Sequence, residues 1–402
     1  MTLEAGQADV PHRRPGPAFG YVLKGEFEWA IDDQPAKVLE VGETFYGPTG
    51  SLHRVAKSLA TKGRTRVLAV ILHPRDARQV TIPEPKKREP RREVMRQETD
   101  MNVFVAGASG AIGRPLLAEL ARDGHAVTGM TNSDAGARVI AGLGAAVARV
   151  NAFDAPALER ALRESRAEVL IDELTALPQH PSELAAAAAG DRELRLEGGG
   201  NLHRAARACG VRRYVQQSSG FFLEPGSGLA DESEGLAVDA SPRVAASART
   251  YAELESRVLN AEGIEGVALR YGFFYGPGTW YNPDGAAADQ ARKQELVIIG
   301  AGEGVWSWVH IEDAAVATVA ALTAPPGVYH IVDDDPSPVS RWLPAFARWV
   351  GAPPPPRVTE QEGRERGGED AVYYATKLRG ATNGKARRLL RFAPRRLQWL
   401  DQ

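Results

Sequence analysis

Glycines 107, 110 and 113 follow the apolar run Val103-Phe-Val-Ala at the spacing Gly-x-x-Gly-x-x-Gly and open an amphipathic stretch, Arg114–Arg122. Strand, glycine turn and helix in that order let the backbone approach a pyrophosphate, which the positive helix end then holds. Gly107, Ser109, Gly110, Ala111, Ile112 and Gly113 are the expected cofactor loop. The next strand ends Gly129-Met-Thr131-Asn132-Ser133. A carboxylate there would accept from a ribose 2′-hydroxyl and repel a 2′-phosphate. None is present, and Arg114 or Arg138 is placed to meet such a phosphate. Thr131 and Asn132 are expected at the ribose, and the cofactor is expected to be NADP or NAD, with NADP first. The single cysteine, Cys209, excludes a disulfide framework and a thiolate metal cluster.

The elements that must position this loop follow from pattern. Strands at Asn102–Ala106, Ala126–Met130, Ala146–Val150 and Val169–Asp172 alternate with helices at Arg114–Arg122 and Ala155–Ser165, which predicts βαβ units and a parallel sheet. The alanine run Ala185–Ala189 predicts a surface helix without chemistry. Residues 85–100 carry a dense basic run broken by Glu89, Pro90 and Glu93, and read as a solvated linker between domains 1–84 and 101–402. Before it, Tyr21–Leu23, Phe27–Ile31, Lys37–Val41, Thr44–Tyr46 and Arg66–Ile71 are short β-rich runs punctuated by turn residues. That pattern predicts a small all-β sandwich or barrel. The 402 residues balance 49 basic against 51 acidic groups, so neither nucleic acid nor an anionic membrane is an expected partner. No apolar run reaches a bilayer-spanning length and no signal pattern opens the chain, so a cytoplasmic location is expected.

Gly6, His12, Arg14, Ala18 and Gly25, then Gly42, Pro48, Gly50 and His53, fall at the spacings of two successive motifs. Through them the first domain resembles the cupins. That family converges three histidines and a carboxylate on a metal. Here Arg14 and Ala18 stand at two of the four ligand positions and Lys57 at the closing asparagine, so no bound metal is expected. A metal-free barrel that takes a small acid through Arg14, or that serves dimerisation, is the expectation.

Five ordered segments carry a second resemblance: Gly107–Gly113, Val215–Ser219, Leu269–Gly278, Trp308–Ala315 and Gly327–Asp334. Residues 101–402 resemble the extended short-chain dehydrogenase/reductases of the NAD-dependent epimerase/dehydratase group. The fold this implies is α/β, a Rossmann-type doubly wound parallel sheet with a smaller substrate-binding part, preceded by the all-β cupin-like barrel. The resemblance places Asn151 near the adenine, and Tyr271, Phe273 and Phe274 along the nicotinamide. It makes Ser219 the hydroxyl that steadies a developing oxyanion, and Tyr251 the proton-transfer tyrosine. The family's lysine four residues on is Glu255 here, and no lysine lies between Lys87 and Lys293. A carboxylate one turn from Tyr251 is expected to raise the tyrosine pKa, with Arg249 or Arg257 as possible positive charge. Arg195 stands where the family has asparagine. Ser219, Tyr251 and Glu255 are the expected catalytic set.

The implied activity is an NAD(P)-dependent oxidoreductase, epimerase or dehydratase acting on a small polar carbonyl or hydroxyl compound, a sugar nucleotide or a specialised metabolite, in a homodimer. The alternatives are a non-redox isomerase, lyase or cyclase on the same fold, and a catalytically silent NADP-binding sensor.

Overall fold

The computed structural model describes residues 2–9, 12–13, 16–32, 34–49, 51–60, 63–73, 82–83 and 100–400; the expected ligand-loop residue Arg14 and nearly all of the expected linker lie outside them. The chain divides into two compact units, Met1–Met95 and Arg96–Gln402.

In the first unit, strands Thr2–Glu4, Arg64–Ile71, Ala18–Lys24 and Thr44–Gly47 form one antiparallel sheet in that order. Lys37–Leu39, Phe27–Ile31, Leu52–Ser58, His12–Arg13 and Ile82–Pro83 form the second. Leu3, Val22, Phe27, Trp29, Ile31, Leu39, Ala56 and Val67 alternate inward and fill the space between them. His12 and His53 are cross-strand partners with rings stacked at 5.3 Å.

The second unit is built on seven parallel strands: β1 (Asn102–Ala106), β2 (Ala126–Thr131), β3 (Ala146–Arg149), β4 (Val169–Asp172), β5 (Arg213–Ser219), β6 (Glu265–Tyr271) and β7 (Gly327–Ile331). Their spatial order is β3-β2-β1-β4-β5-β6-β7. The central strands are buried on both faces, so they read as unbroken apolar runs. Val103, Val105, Ile171, Val215, Val267 and Leu269 face one layer, and Phe104, Ala106, Leu170, Tyr214 and Ala268 the other. Strand order reverses at β1 and β4, and the crevice at their carboxyl ends is where ligands bind in such sheets.

The helices that matter for that crevice are α1 (Gly113–Arg122), α2 (Asp134–Gly142), α3 (Ala155–Ser165), α4 (Leu184–Glu193), α5 (Gly199–Ala208), α6 (Pro242–Leu259) and α7 (Ile311–Ala320). Between α4 and α5 the backbone passes through a π turn, Leu194–Gly198, which turns Arg195 inward. Helix α6 has its N-terminus capped from far along the chain. The Asp370 carboxylate accepts from the backbone N–H of Arg243 and Val244 at 3.1 and 3.2 Å and from Ser241 at 2.7 Å. A smaller part beyond β6 packs Trp308, Trp342, Phe346, Trp399 and Tyr275 into its own core.

Candidate active site

The glycine loop is shaped for an anion. Gly107 has φ +76°, and a Cβ there would lie 2.4 Å from the Glu173 carbonyl oxygen at the end of β4. At Gly113 a Cβ would lie 2.4 Å from the Gly107 oxygen. These two glycines let loop, strand end and helix close on one another. Gly110 differs: it is exposed, and its Cβ would meet only the Gly107 oxygen, at 3.1 Å. A side chain there would stand in the approach to the loop. Helix α1 starts with no side-chain cap and no acidic residue in its first turn, so no side chain offsets the positive end of its dipole. Ser109, Ala111 and Ile112 complete this loop, Ile112 with its side chain in the core. The cradle fits a dinucleotide pyrophosphate.

At the ribose end, Asn132 is exposed, whereas Thr131 is buried and turned toward the start of α2, where its hydroxyl accepts from the Ser133 N–H. Asn151 is exposed and accepts from Phe153 N–H in a local turn. Arg114 is exposed, and its Nε donates to the Ser109 carbonyl of the glycine loop at 3.0 Å. The sequence reading missed Arg149, the last residue of β3. It pairs in register with Thr131, and its guanidinium lies 2.9 Å from the Asp134 carboxylate. Register across β2 and β3 is what finds it.

Ser219 ends β5, buried beside the first residues of the crevice wall. Tyr251 projects from α6, its half-buried ring stacked on Phe222 at 5.8 Å and capped by the Arg195 guanidinium at 5.1 Å. Arg195 is itself buried, donating to Asp191 at 2.7 Å and to Gln217 at 3.1 Å. Burial pushes the Tyr251 pKa up; the Arg195 charge opposes this and Asp191 adds to it. The direction agrees with the sequence expectation, but the cause does not involve Glu255. That carboxylate is held elsewhere: Arg270 donates to both its oxygens at 2.7 and 2.8 Å, and the Ser218 hydroxyl donates to it at 2.6 Å. Glu255, expected as a catalytic group, thus fastens α6 to β5 and β6, with two donors on Oε1 and one on Oε2. Arg257, two residues further, donates to the Arg195 and Leu196 carbonyls and locks the π turn. The cation facing Tyr251 is Arg195.

Tyr271, expected along the nicotinamide, is buried, with its hydroxyl 2.9 Å from Glu173 and 2.7 Å from Thr318, so it braces the sheet edge from within. Phe274 packs on its ring at 5.3 Å. Phe273 is part of a different feature. Phe221, Phe273 and Trp306 form a parallel stack at 4.1 and 4.0 Å, with Phe222, Tyr251 and Tyr374 around it. The stack retains partial exposure.

Residues 103–331 match the model of the NAD dependent epimerase/dehydratase family. The chain belongs to that family. Residues 1–71 match the cupin domain model, in agreement with the two antiparallel sheets. A Streptomyces relative named 3-diazoavenalumate denitrifying reductase is 39% identical over 308 residues, which is 75% of this chain and 98% of that protein. Two solved structures of family enzymes share the fold. The Thermus thermophilus UDP-glucose 4-epimerase with NAD is 24% identical, covers 74% of this chain and 95% of its own, and has a TM-score of 0.58. The Streptomyces venezuelae dTDP-glucose 4,6-dehydratase with NAD is 21% identical, with coverage of 74% and 92% and a TM-score of 0.58. Among the described residues no cluster of three potential metal ligands occurs and no helix is long and apolar enough to cross a membrane.

Proposed function

We propose that this protein is a nicotinamide-dependent reductase that replaces the diazo group of an aromatic diazo compound by hydrogen. The observation that carries the reading is the setting of Tyr251: burial raises its pKa, and the residue one turn on is not a lysine but Glu255, which is bound by Arg270 and Ser218. Epimerases and dehydratases must move a proton at a hydroxyl or carbonyl oxygen, and a tyrosine of raised pKa is a poor base for that step. An arenediazonium group makes no such demand. The reduced nicotinamide, when bound, supplies a hydride. Hydride addition at the terminal nitrogen turns Ar–N≡N⁺ into Ar–N=N–H, which collapses to Ar–H and N≡N with atoms and charge balanced and no proton drawn from the protein.

The residues then have orienting tasks. The Phe221–Phe273–Trp306 stack offers a planar surface to an aromatic ring. Tyr251 and Ser219 donate hydrogen bonds to a ring oxygen substituent, and Arg195 keeps the tyrosine hydroxyl oriented. The name of the Streptomyces relative, a denitrifying reductase of a diazo compound, supports the same class. NADP(H) is the proposed cofactor, on the absence of a carboxylate at residues 131–133 and the presence of Arg149 and Arg138 at that edge.

The test offers the protein NADPH or NADH with a hydroxylated arenediazonium carboxylate, and separately with UDP-glucose. Dinucleotide oxidation with release of one N₂ per hydride is expected only with the diazonium compound. Turnover of the sugar nucleotide and inertness toward the diazonium would overturn the reading.

A further inference from the structure

Four oxygens at the carboxyl edge of the sheet form a continuous chain. Glu173 Oε1 lies 2.9 Å from the Tyr271 hydroxyl, which lies 2.7 Å from Thr318 Oγ1, which lies 2.7 Å from the Ala314 carbonyl oxygen. Each contact is short enough to need a hydrogen between its oxygens. Glu173, Tyr271 and Thr318 are all buried, so no bulk water supplies one. Tyrosine and threonine bring two protons to three contacts. An ionised Glu173 therefore leaves one oxygen pair facing bare, whichever way the hydroxyls turn. A protonated Glu173 supplies the third: Oε1–H donates to Tyr271, Tyr271 to Thr318, and Thr318 to Ala314. The other oxygen, Oε2, is buried without a hydrogen-bond partner among the described residues, which a neutral carbonyl tolerates far better than a carboxylate.

This acid sits against the cofactor loop. Its carbonyl oxygen lies 2.4 Å, and its Cβ 3.3 Å, from the point a Cβ on Gly107 would occupy. We propose that Glu173 is held as the neutral acid by the Tyr271–Thr318 chain, and that dinucleotide affinity depends on its staying so, because ionisation places a buried negative charge on the residue against which the Gly107 turn closes. The inference rests on the dinucleotide reading of the glycine loop. Glu173 touches no reacting atom in this scheme; it is a positioning residue that acts through the charge it withholds.

Among the described residues the charged and titratable groups around it are few. Asp172 precedes it on β4 and accepts from Tyr214 at 2.7 Å; Tyr271 faces it from β6; Arg195, in the π turn, supplies the positive charge; α7 contributes Thr318. Desolvation, with the Asp172 charge added, pushes the Glu173 pKa up to about 8, against opposing contributions from Tyr271 and Arg195. A switch in that range lies where few other side chains titrate.

The experiment measures dissociation constants for NADPH and NADH by fluorescence from slightly acid to alkaline pH, on the full chain and on Glu173→Gln. A glutamine amide still donates to Tyr271 and cannot ionise. The parent's affinity should be flat at low pH and fall by up to about tenfold per pH unit once Glu173 ionises, whereas Glu173→Gln should bind as tightly and stay flat. Infrared difference spectroscopy provides a second reading: the parent should show a protonated-carboxyl stretch at neutral pH that Glu173→Gln lacks. A parent affinity that ignores pH, or a Glu173→Gln variant that keeps the parent's pH dependence, would overturn the inference while leaving dinucleotide binding in place. Absence of binding at every pH would overturn the dinucleotide reading itself, and this inference with it.

Discussion

Replacing Glu255 by lysine would restore the residue type that the family carries one turn beyond its tyrosine, so a gain of activity is the naive expectation. The structure predicts the opposite. The Glu255 carboxylate is buried and bidentate with Arg270 at 2.7 and 2.8 Å, with Ser218 as a third partner. A lysine there sets an ammonium against an equally buried guanidinium, since the two paired side chains are only 8% and 5% exposed. Removing one member of a buried pair costs roughly 3–5 kcal/mol, and like charges add to that. Total domain stability is about 5–15 kcal/mol, so Glu255→Lys should be insoluble or should melt at least roughly 10 °C lower. The discriminating variant combines Glu255→Leu with Arg270→Met, which exchanges the pair for apolar side chains of similar bulk. Such exchanges are often neutral or stabilising. The double variant should therefore fold, bind dinucleotide and keep most of its turnover. Thermal unfolding, dinucleotide titration and turnover on the same preparations decide the matter. A folded, cofactor-binding double variant with turnover lost by about a thousandfold would refute the structural role and return Glu255 to catalysis.

Gly110→Leu should leave the melting temperature nearly unchanged and abolish dinucleotide binding, because Gly110 alone of the three loop glycines opens toward the approach path; calorimetric titration checks it. Tyr251→Phe should lower turnover by about tenfold, the worth of a neutral hydrogen bond of roughly 0.5–1.5 kcal/mol, with no change in the pH profile near neutrality. Arg149→Ala should weaken NADPH more than NADH, and equal effects on the two would remove Arg149 from the phosphate edge. Glu173 also sets a stability trend: its folded pKa of about 8 lies above the ordinary 4.5, so its contribution is complete below 4.5 and is lost as pH rises through 8. Urea unfolding should show the parent losing stability across that window and Glu173→Gln losing less.

The features legible in the chain before folding are local in origin. The strand, the glycine spacing and the helix at residues 102–122 are consecutive, and the positive-φ turn at Gly107 and the tight closure at Gly113 follow from residues that are neighbours in the chain. Period-two runs before the linker and alternating strands and helices after it likewise specify two unlike architectures, because each pattern expresses which face of an element must leave water. The glycine loop was therefore legible. The surroundings of Glu255, Tyr251 and Glu173 were not. Glu255 and Arg270 lie 15 residues apart, on α6 and β6, and meet only because α6 packs across β5 and β6. Arg195 reaches the Tyr251 ring through a single π turn, a register change with no sequence signature. Glu173 meets Tyr271 across 98 residues and Thr318 lies 47 further on, so the proton count among them exists only once β4, β6 and α7 are assembled. Spacing along the chain reveals which chemistry a segment can carry, whereas pKa and charge depend on which distant partners burial forces together, and that is decided by the order of strands in the sheet.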